Sequence, residues 1–227
     1  MSGVATPLNF DPRTVPVTSV DSDLRRVRPE LLVPANLRQR FATPPIWQPE
    51  LLSEPRFSAR APVAASVLVP LVMREQLMVL LTQRTEHLSS HSGQIAFPGG
   101  KADPEDHNAI ATALREAEEE IGLQHHHVDV IGTLPIYTTG SGYIVTPVVA
   151  LVQPVASFLP NANEVADVFE VPLAFLMDPA NHRHHRVDWQ GATRHWLSMP
   201  YQDTAQERFI WGATAGMLRN FYRFLLD

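Results

Sequence analysis

Arg115-Glu116-Ala117-Glu118-Glu119-Glu120-Ile121-Gly122-Leu123 constrains this chain more than any other stretch. It sets four carboxylates in the five positions that follow an arginine. On a helix turning ~100° per residue, Glu116, Glu119 and Glu120 fall in one sector roughly 100° wide, and Glu118 points away. Like charges at i,i+3 and i,i+4 repel by ~0.2–0.5 kcal/mol a pair. An isolated acidic run is more often a solvated helix face than a site. Here the same helix carries Ile110, Ala113, Leu114, Ala117 and Ile121, an apolar stripe opposite the trio. The stripe anchors the helix to a core while the acidic face looks elsewhere. Gly122 is a stop signal just past the last apolar position. The pattern predicts a helix over residues 106–121 whose acidic face a cation would neutralise. Oxygen-only donors suit Mg²⁺ or Mn²⁺.

Upstream stands Phe97-Pro98-Gly99-Gly100-Lys101-Ala102-Asp103-Pro104-Glu105-Asp106. Gly99 and Gly100 after a proline permit a tight turn and let backbone approach a ligand closely. Gly100, Asp106, Arg115, Glu116, Glu119, Glu120 and Gly122 together resemble the Nudix box, G-x5-E-x7-R-E-U-x-E-E-x-G-U, where U is bulky and apolar. Asp106 stands in place of the box glutamate, and eight residues rather than seven separate it from Arg115. Ala117 is small for its apolar slot. Leu80-Leu81-Thr82-Gln83-Arg84-Thr85, followed by Gly93-Gln94-Ile95-Ala96-Phe97-Pro98-Gly99-Gly100, is similar to the signature of the coenzyme A pyrophosphatase branch, L-L-T-x-R-[SA]-x3-R-x3-G-x3-F-P-G-G. Thr85 and Ser89 depart from that signature, the latter replacing its second arginine. Downstream, Ser141-Gly142-Tyr143, Pro147-Val148-Val149, Asn161-Ala162-Asn163-Glu164-Val165 and Trp211-Gly212-Ala213-Thr214 also look like this branch. The resemblance covers roughly residues 62–225.

Composition sets the outer bounds. With 227 residues, 44% of them hydrophobic, the chain suits one domain with an extra arm. It has no cysteine, which removes disulfides and thiolate metal sites. A net charge of −6 argues against a nucleic-acid partner, and an anionic substrate must be drawn in by local arginines and bound cations. No run is long and apolar enough for a signal peptide or a membrane span. The expectation is a cytoplasmic enzyme acting on a small molecule, without nucleic acid or membrane, and with a homodimer left open.

The proline-rich residues 1–60 read as an N-terminal extension packed on a main domain of residues 61–227, with one or two short helices within 24–41. Strands are expected over 61–73, 76–83, 93–97, 128–137, 144–152 and 165–172, the last leading to a short helix at 173–177. Residues 186–190 and 194–201 form a hairpin, and 206–226 a closing helix. This order suggests a mixed sheet between helices, and the Nudix resemblance implies an α/β/α sandwich.

Hydrolysis of a P–O–P bond builds charge on phosphoryl oxygens and leaving group, which divalent ions neutralise. Glu116 and Glu120 are the expected principal metal ligands, with Glu119 as a further ligand or a group that positions water. The resemblance adds the Gly100 carbonyl. Arg115 is expected to orient a glutamate through a bidentate pair. The general base is either Glu119 or the loop residue Glu164. Arg84, after a buried strand, binds a phosphate or makes a structural ion pair. Tyr143 contacts substrate or packs, and His91 is the histidine expected near substrate. His125-His126-His127, on an extended loop, and the loop residues His182, His184 and His185 are not expected to bind metal. The resemblance implies a Mg²⁺- or Mn²⁺-dependent hydrolase that cleaves coenzyme A or its thioesters to 3′,5′-ADP and a 4′-phosphopantetheine product. The rival readings are a pyrophosphatase for another nucleoside diphosphate compound, such as ADP-ribose, and a non-catalytic binding module.

Overall fold

Two hydrophobic faces of one sheet account for the architecture. The structure, a computed structural model, describes residues 11–58, 61–86, 93–155, 157–189 and 192–226. The chain runs β1 (Val17–Val20), α1 (Pro34–Ala42), β2 (Val63–Met73), β3 (Leu77–Arg84), β4 (Ile95–Ala96) and β5 (Gly99–Lys101). Then come α2 (Ala109–Ile121), β6 (Val128–Thr133), β7 (Tyr137–Thr138), β8 (Tyr143–Val152) and β9 (Val165–Pro172). α3 (Leu173–Leu176), β10 (Arg183–Trp189), β11 (Ala192–Gln202), β12 (Glu207–Trp211) and α4 (Gly212–Leu226) complete it.

The long buried runs of β2, β3 and β8 alternate between faces, as the period of two demands. Leu68, Val72, Leu80, Val148, Ala150 and Val152 pack under Ala113, Ala117 and Ile121 of α2. Val69, Leu71, Val79, Leu81, Val149 and Leu151 face the opposite way, toward Leu218, Phe221 and Tyr222 of α4. β2 and β8 run parallel and β3 antiparallel to β2, so the sheet is mixed and lies between helices, as expected. Its main path is β4-β3-β2-β8-β6, with β5 on β2, β7 on β8 and β9 on β3. A second sheet has the order β1-β10-β11-β12. Residues before 61 join both layers. β1 pairs with β10, and Leu37 of α1 lies fully buried in the α4-side core. Among the described residues no helix is long and apolar enough to cross a membrane.

Several expected boundaries move. The closing helix of residues 206–226 divides into β12 and α4, because Phe209 and Ile210 are strand-paired to β11 and Gly212, at φ 60°, makes the bend between them. α2 begins at Ala109 rather than 106. Asn108 caps it by accepting the Ala111 N–H at 3.0 Å, and Asp106 stays in the preceding turn. The single strand expected over 128–137 is β6 and β7, interrupted around Pro135, which has no N–H to donate. His184 and His185 lie on β10 rather than in a loop. His182 is buried and receives Arg219 on Nδ1 at 2.9 Å. His125–His127 form a 3₁₀ turn in place of an extended loop.

Candidate active site

The glycine turn and the acidic face of α2 meet where β5 lies on β2. Ser66 pairs with Gly100 and Val67 with Gly99. A Cβ on Gly99 would stand 2.6 Å from Val67 Cα, and one on Gly100 would stand 2.5 Å from Glu116 Cδ. The missing side chains therefore let β5 lie against β2 and let the Glu116 carboxylate come up to the backbone.

Glu120 is buried, and both its oxygens are held. Gly99 N–H donates to Oε2 at 3.1 Å, and Arg84 Nη1 donates to Oε1 at 3.3 Å. Burial raises its pKa to about 7, and the charges of Glu116 and Glu164 add to the rise; the Gly99 and Arg84 contacts oppose it. Glu116 is half-buried and also raised, first by burial, with Glu119 and Glu164 adding to it against Arg115. Glu119 is exposed.

Arg115 organises the group. Its Nε and Nη2 grip Asp106 at 3.0 and 2.9 Å, and Nη1 reaches Glu116 at 3.1 Å and Glu119 at 2.9 Å. Nη2 also donates to the Lys101 carbonyl at 3.1 Å. The fork was expected on a glutamate of the helix. It lies on Asp106, because that carboxylate sits in the turn facing the Nε edge while the helix glutamates meet only Nη1. The hydrogen bonds from Arg115 hold the Asp106 carboxyl far below its usual range, and Asp106 holds the guanidinium charged.

Glu164 enters from a loop tied to the end of α2. Leu159 N–H donates to the Ile121 carbonyl at 2.9 Å and Asn161 N–H to the Glu120 carbonyl at 2.8 Å. The Glu164 carbonyl accepts Thr85 N–H at 3.0 Å, beside Arg84. Its charge acts on both Glu116 and Glu120, so one neighbourhood contains Arg84, Gly99, Gly100, Arg115, Glu116, Glu119, Glu120 and Glu164. Tyr143 is not brought into it. Its side chain packs against the α4-side core, and its N–H donates to Thr139 Oγ1 at 3.0 Å. His91 and Ser89 lie outside the described residues.

Glu54 is a residue that the sequence reading did not single out. Its Oε2 accepts Gly140 N–H at 2.9 Å and its Oε1 accepts Tyr137 O–H at 3.3 Å. It ties residues 52–57 to the loop before Tyr143. A lone glutamate in a proline-rich arm carries no periodic signal that would have marked it.

Among the described residues no three acidic or histidine side chains already converge as a ligand group. Arg115 and Arg84 hold the carboxylates instead. The donor set nonetheless fits a hard divalent cation. It offers oxygen only, a buried carboxylate that burial alone disfavours when charged, and a backbone turn that a Cβ would close. Glu116, Glu119, Glu120 and the Gly100 carbonyl are the groups that would hold it.

A family model described as NUDIX domain matches residues 62–190. The uncharacterized Nudix hydrolase NudL of Escherichia coli (strain K12) is 45% identical over 158 residues, covering 68% of this chain and 79% of that protein. The protein of the same description from Yersinia pestis (strain Pestoides F) is 43% identical over 157 residues, covering 69% of this chain and 76% of its own. A solved MutT/nudix family protein from Enterococcus faecalis superposes with a TM-score of 0.46 at 16% identity, covering 86% of this chain and 75% of that one.

Proposed function

The chain belongs to the Nudix hydrolase family, and from that premise we propose that it hydrolyses the pyrophosphate bond of coenzyme A or an acyl-CoA. The products are 3′,5′-ADP and a 4′-phosphopantetheine species. One observation carries the reading. The two pieces of chain that resemble the coenzyme A pyrophosphatase signature supply both donors to the buried Glu120, Arg84 from the first and Gly99 from the second. The signature is thus part of the wall of the carboxylate site. Thr82 Oγ1 bonds the Ala96 carbonyl at 3.2 Å and Arg84 N–H the Gln94 carbonyl at 2.9 Å, which hold the two pieces together.

Nudix hydrolases use divalent metal ions, and Mg²⁺ or Mn²⁺ is the proposed cofactor here. When bound, such an ion neutralises phosphoryl charge and makes water a better nucleophile. Glu116 and Glu120 are its proposed principal ligands, with Glu119 and the Gly100 carbonyl beside them. Arg115 is a positioning residue that holds Glu116 and Glu119 from its anchor on Asp106. Glu164 is the proposed general base. Its charge acts on both Glu116 and Glu120, whereas Glu119 already accepts from Arg115 and projects into solvent. Arg84 offers a cation to a substrate phosphate.

Incubation of the protein with Mg²⁺, and separately Mn²⁺, against CoA, dephospho-CoA, ADP-ribose and a diadenosine polyphosphate tests the assignment. The expected outcome is release of 3′,5′-ADP from CoA far faster than cleavage of the others. Cleavage of ADP-ribose but not CoA keeps the hydrolase and overturns the substrate.

A further inference from the structure

The two donors to Glu120 differ in one respect that matters for a metal. The Gly99 N–H belongs to a backbone fixed between β2 and the turn, with Gly99 paired to Val67. It cannot leave Oε2 without unpairing β5. The Arg84 donor is the end of a long side chain on the last residue of β3, and that side chain is about a quarter exposed. Its contact with Oε1, at 3.3 Å, is the longer of the two. A cation arriving at Glu120 therefore finds one lone pair of Oε2 kept by a fixed donor, and Oε1 held by a group that can swing away.

Two positive charges at one carboxylate oxygen repel, so the ion and the guanidinium exclude each other there. We propose that Arg84 is a resident counter-cation for Glu120, displaced by the divalent ion and thereby freed to bind a substrate phosphate. This rests on Glu120 being a metal ligand. Before the ion binds, Arg84 keeps a buried carboxylate partnered, which an apolar neighbour would not. After the ion binds, Arg84 is the positive group without a partner, beside the place where phosphoryl charge will lie. By linkage, metal and phosphate each favour the other through this one side chain. The arrangement also gives order, since an anion reaching the site without metal finds Arg84 already occupied.

The direct test is Mn²⁺ binding at about pH 8, followed by the paramagnetic resonance of free Mn²⁺, on the full chain without substrate. Arg84→Gln removes the competing charge and should bind Mn²⁺ about tenfold more tightly than wild type. Arg84→Lys keeps the charge and should stay close to wild type. A second reading needs no variant. The Arg84 Nε–H resonance of the wild-type protein should shift when Mg²⁺ is added. Unchanged or weaker Mn²⁺ binding in folded Arg84→Gln, or an Arg84 resonance indifferent to Mg²⁺, overturns the proposal. Failure of the wild-type protein to bind Mn²⁺ at all overturns the metal assignment beneath it, which is a separate outcome.

Discussion

Arg115 and Asp106 stand nine residues apart and meet through two parallel hydrogen bonds, Nε to Oδ1 at 3.0 Å and Nη2 to Oδ2 at 2.9 Å. The fork fixes the plane of the guanidinium and leaves Nη1 aimed at Glu116 and Glu119. Asp106 is one methylene shorter than the glutamate of the general box, and the loop to Arg115 is one residue longer. The shorter side chain completes both bonds of the fork all the same. Asp106→Ala should then lower kcat/KM by about 10- to 100-fold without touching a ligand directly. Asp106→Asn should lose less, since its amide still accepts one of the two bonds. Steady-state kinetics on the pair decide it, and full activity in Asp106→Ala would uncouple the fork from the glutamates.

Asp106 also gives the stability of the fold an acid limb. Its folded pKa lies below its unfolded value, so its contribution is complete above the ordinary aspartate range near pH 4. It is lost as pH falls further. Denaturant unfolding of wild type and Asp106→Asn between about pH 3 and pH 6 should show a shallower acid loss in the variant. Parallel curves would mean that the ion pair is equally formed in the unfolded chain.

Glu120 has the opposite sign. Its pKa rises from 4.5 unfolded to about 7 folded, first through burial. The folded state prefers the neutral acid, so the contribution is fully present below 4.5 and is lost as pH rises to about 7. The loss is roughly 3 kcal/mol. Metal-free Glu120→Gln escapes it, and should be more stable than metal-free wild type at about pH 8 while turnover falls at least 100-fold. Added Mg²⁺ should stabilise wild type and leave the variant nearly unmoved. Chemical denaturation with and without Mg²⁺ measures both. Turnover like that of wild type would remove Glu120 from the ligand set.

Gly99 and Gly100 are adjacent, yet alanine should act on them differently. At Gly100 the new methyl would meet the Glu116 carboxylate, the far end of a flexible side chain that can swing aside. The fold should persist and activity should drop about 100-fold, since a displaced ligand is the cost. At Gly99 the methyl would meet the Val67 backbone in β2, which cannot move without the sheet. That substitution should cost about 1–3 kcal/mol of stability. Melting temperature and kcat, measured on both, separate the cases. A stable, inactive Gly99→Ala would contradict the packing argument.

Much of this site was legible because its parts are local in sequence. The carboxylate sector and the apolar stripe lie within thirteen residues of α2, and helical geometry sets them on different sides, although Ile110 of that stripe is exposed and Glu120 of the acidic sector is buried. Pro98-Gly99-Gly100 is equally local, but the turn read there is strand β5, and what its glycines bring close is the Val67 backbone and the Glu116 carboxylate. What escaped depended on pairing between distant segments. Nothing in Glu207–Trp211 separates a strand from the first turn of a helix until β11 lies beside it. β1 is exposed along its whole length, so no alternation of polar and apolar residues marks it. Glu54 acquires its partners only when the arm reaches the loop before Tyr143. The direction of the Arg115 fork depended on where Asp106 sits relative to the helix start, and Asn108 rather than Asp106 takes the cap.

Glu119 and Glu164 compete for the role of general base. Glu119 is largely exposed, and Arg115 occupies its Oε2 at 2.9 Å. That bond ties Glu119 to the group held by Arg115, beside the proposed ligand Glu116. Among the described residues Glu164 is tied to the site through its backbone, and its charge acts on Glu116 and Glu120. Glu164→Gln should therefore lower kcat by about 100-fold or more, within the range for loss of a general base. Mn²⁺ affinity should fall by a few-fold at most, since one negative charge near the site is gone but no ligand is. Glu119→Gln should weaken Mn²⁺ binding and reduce kcat together. Kinetics and Mn²⁺ titration on both variants distinguish them. A Glu164→Gln protein with wild-type kcat returns the role of base to Glu119. One that loses metal and turnover in parallel makes Glu164 a ligand instead.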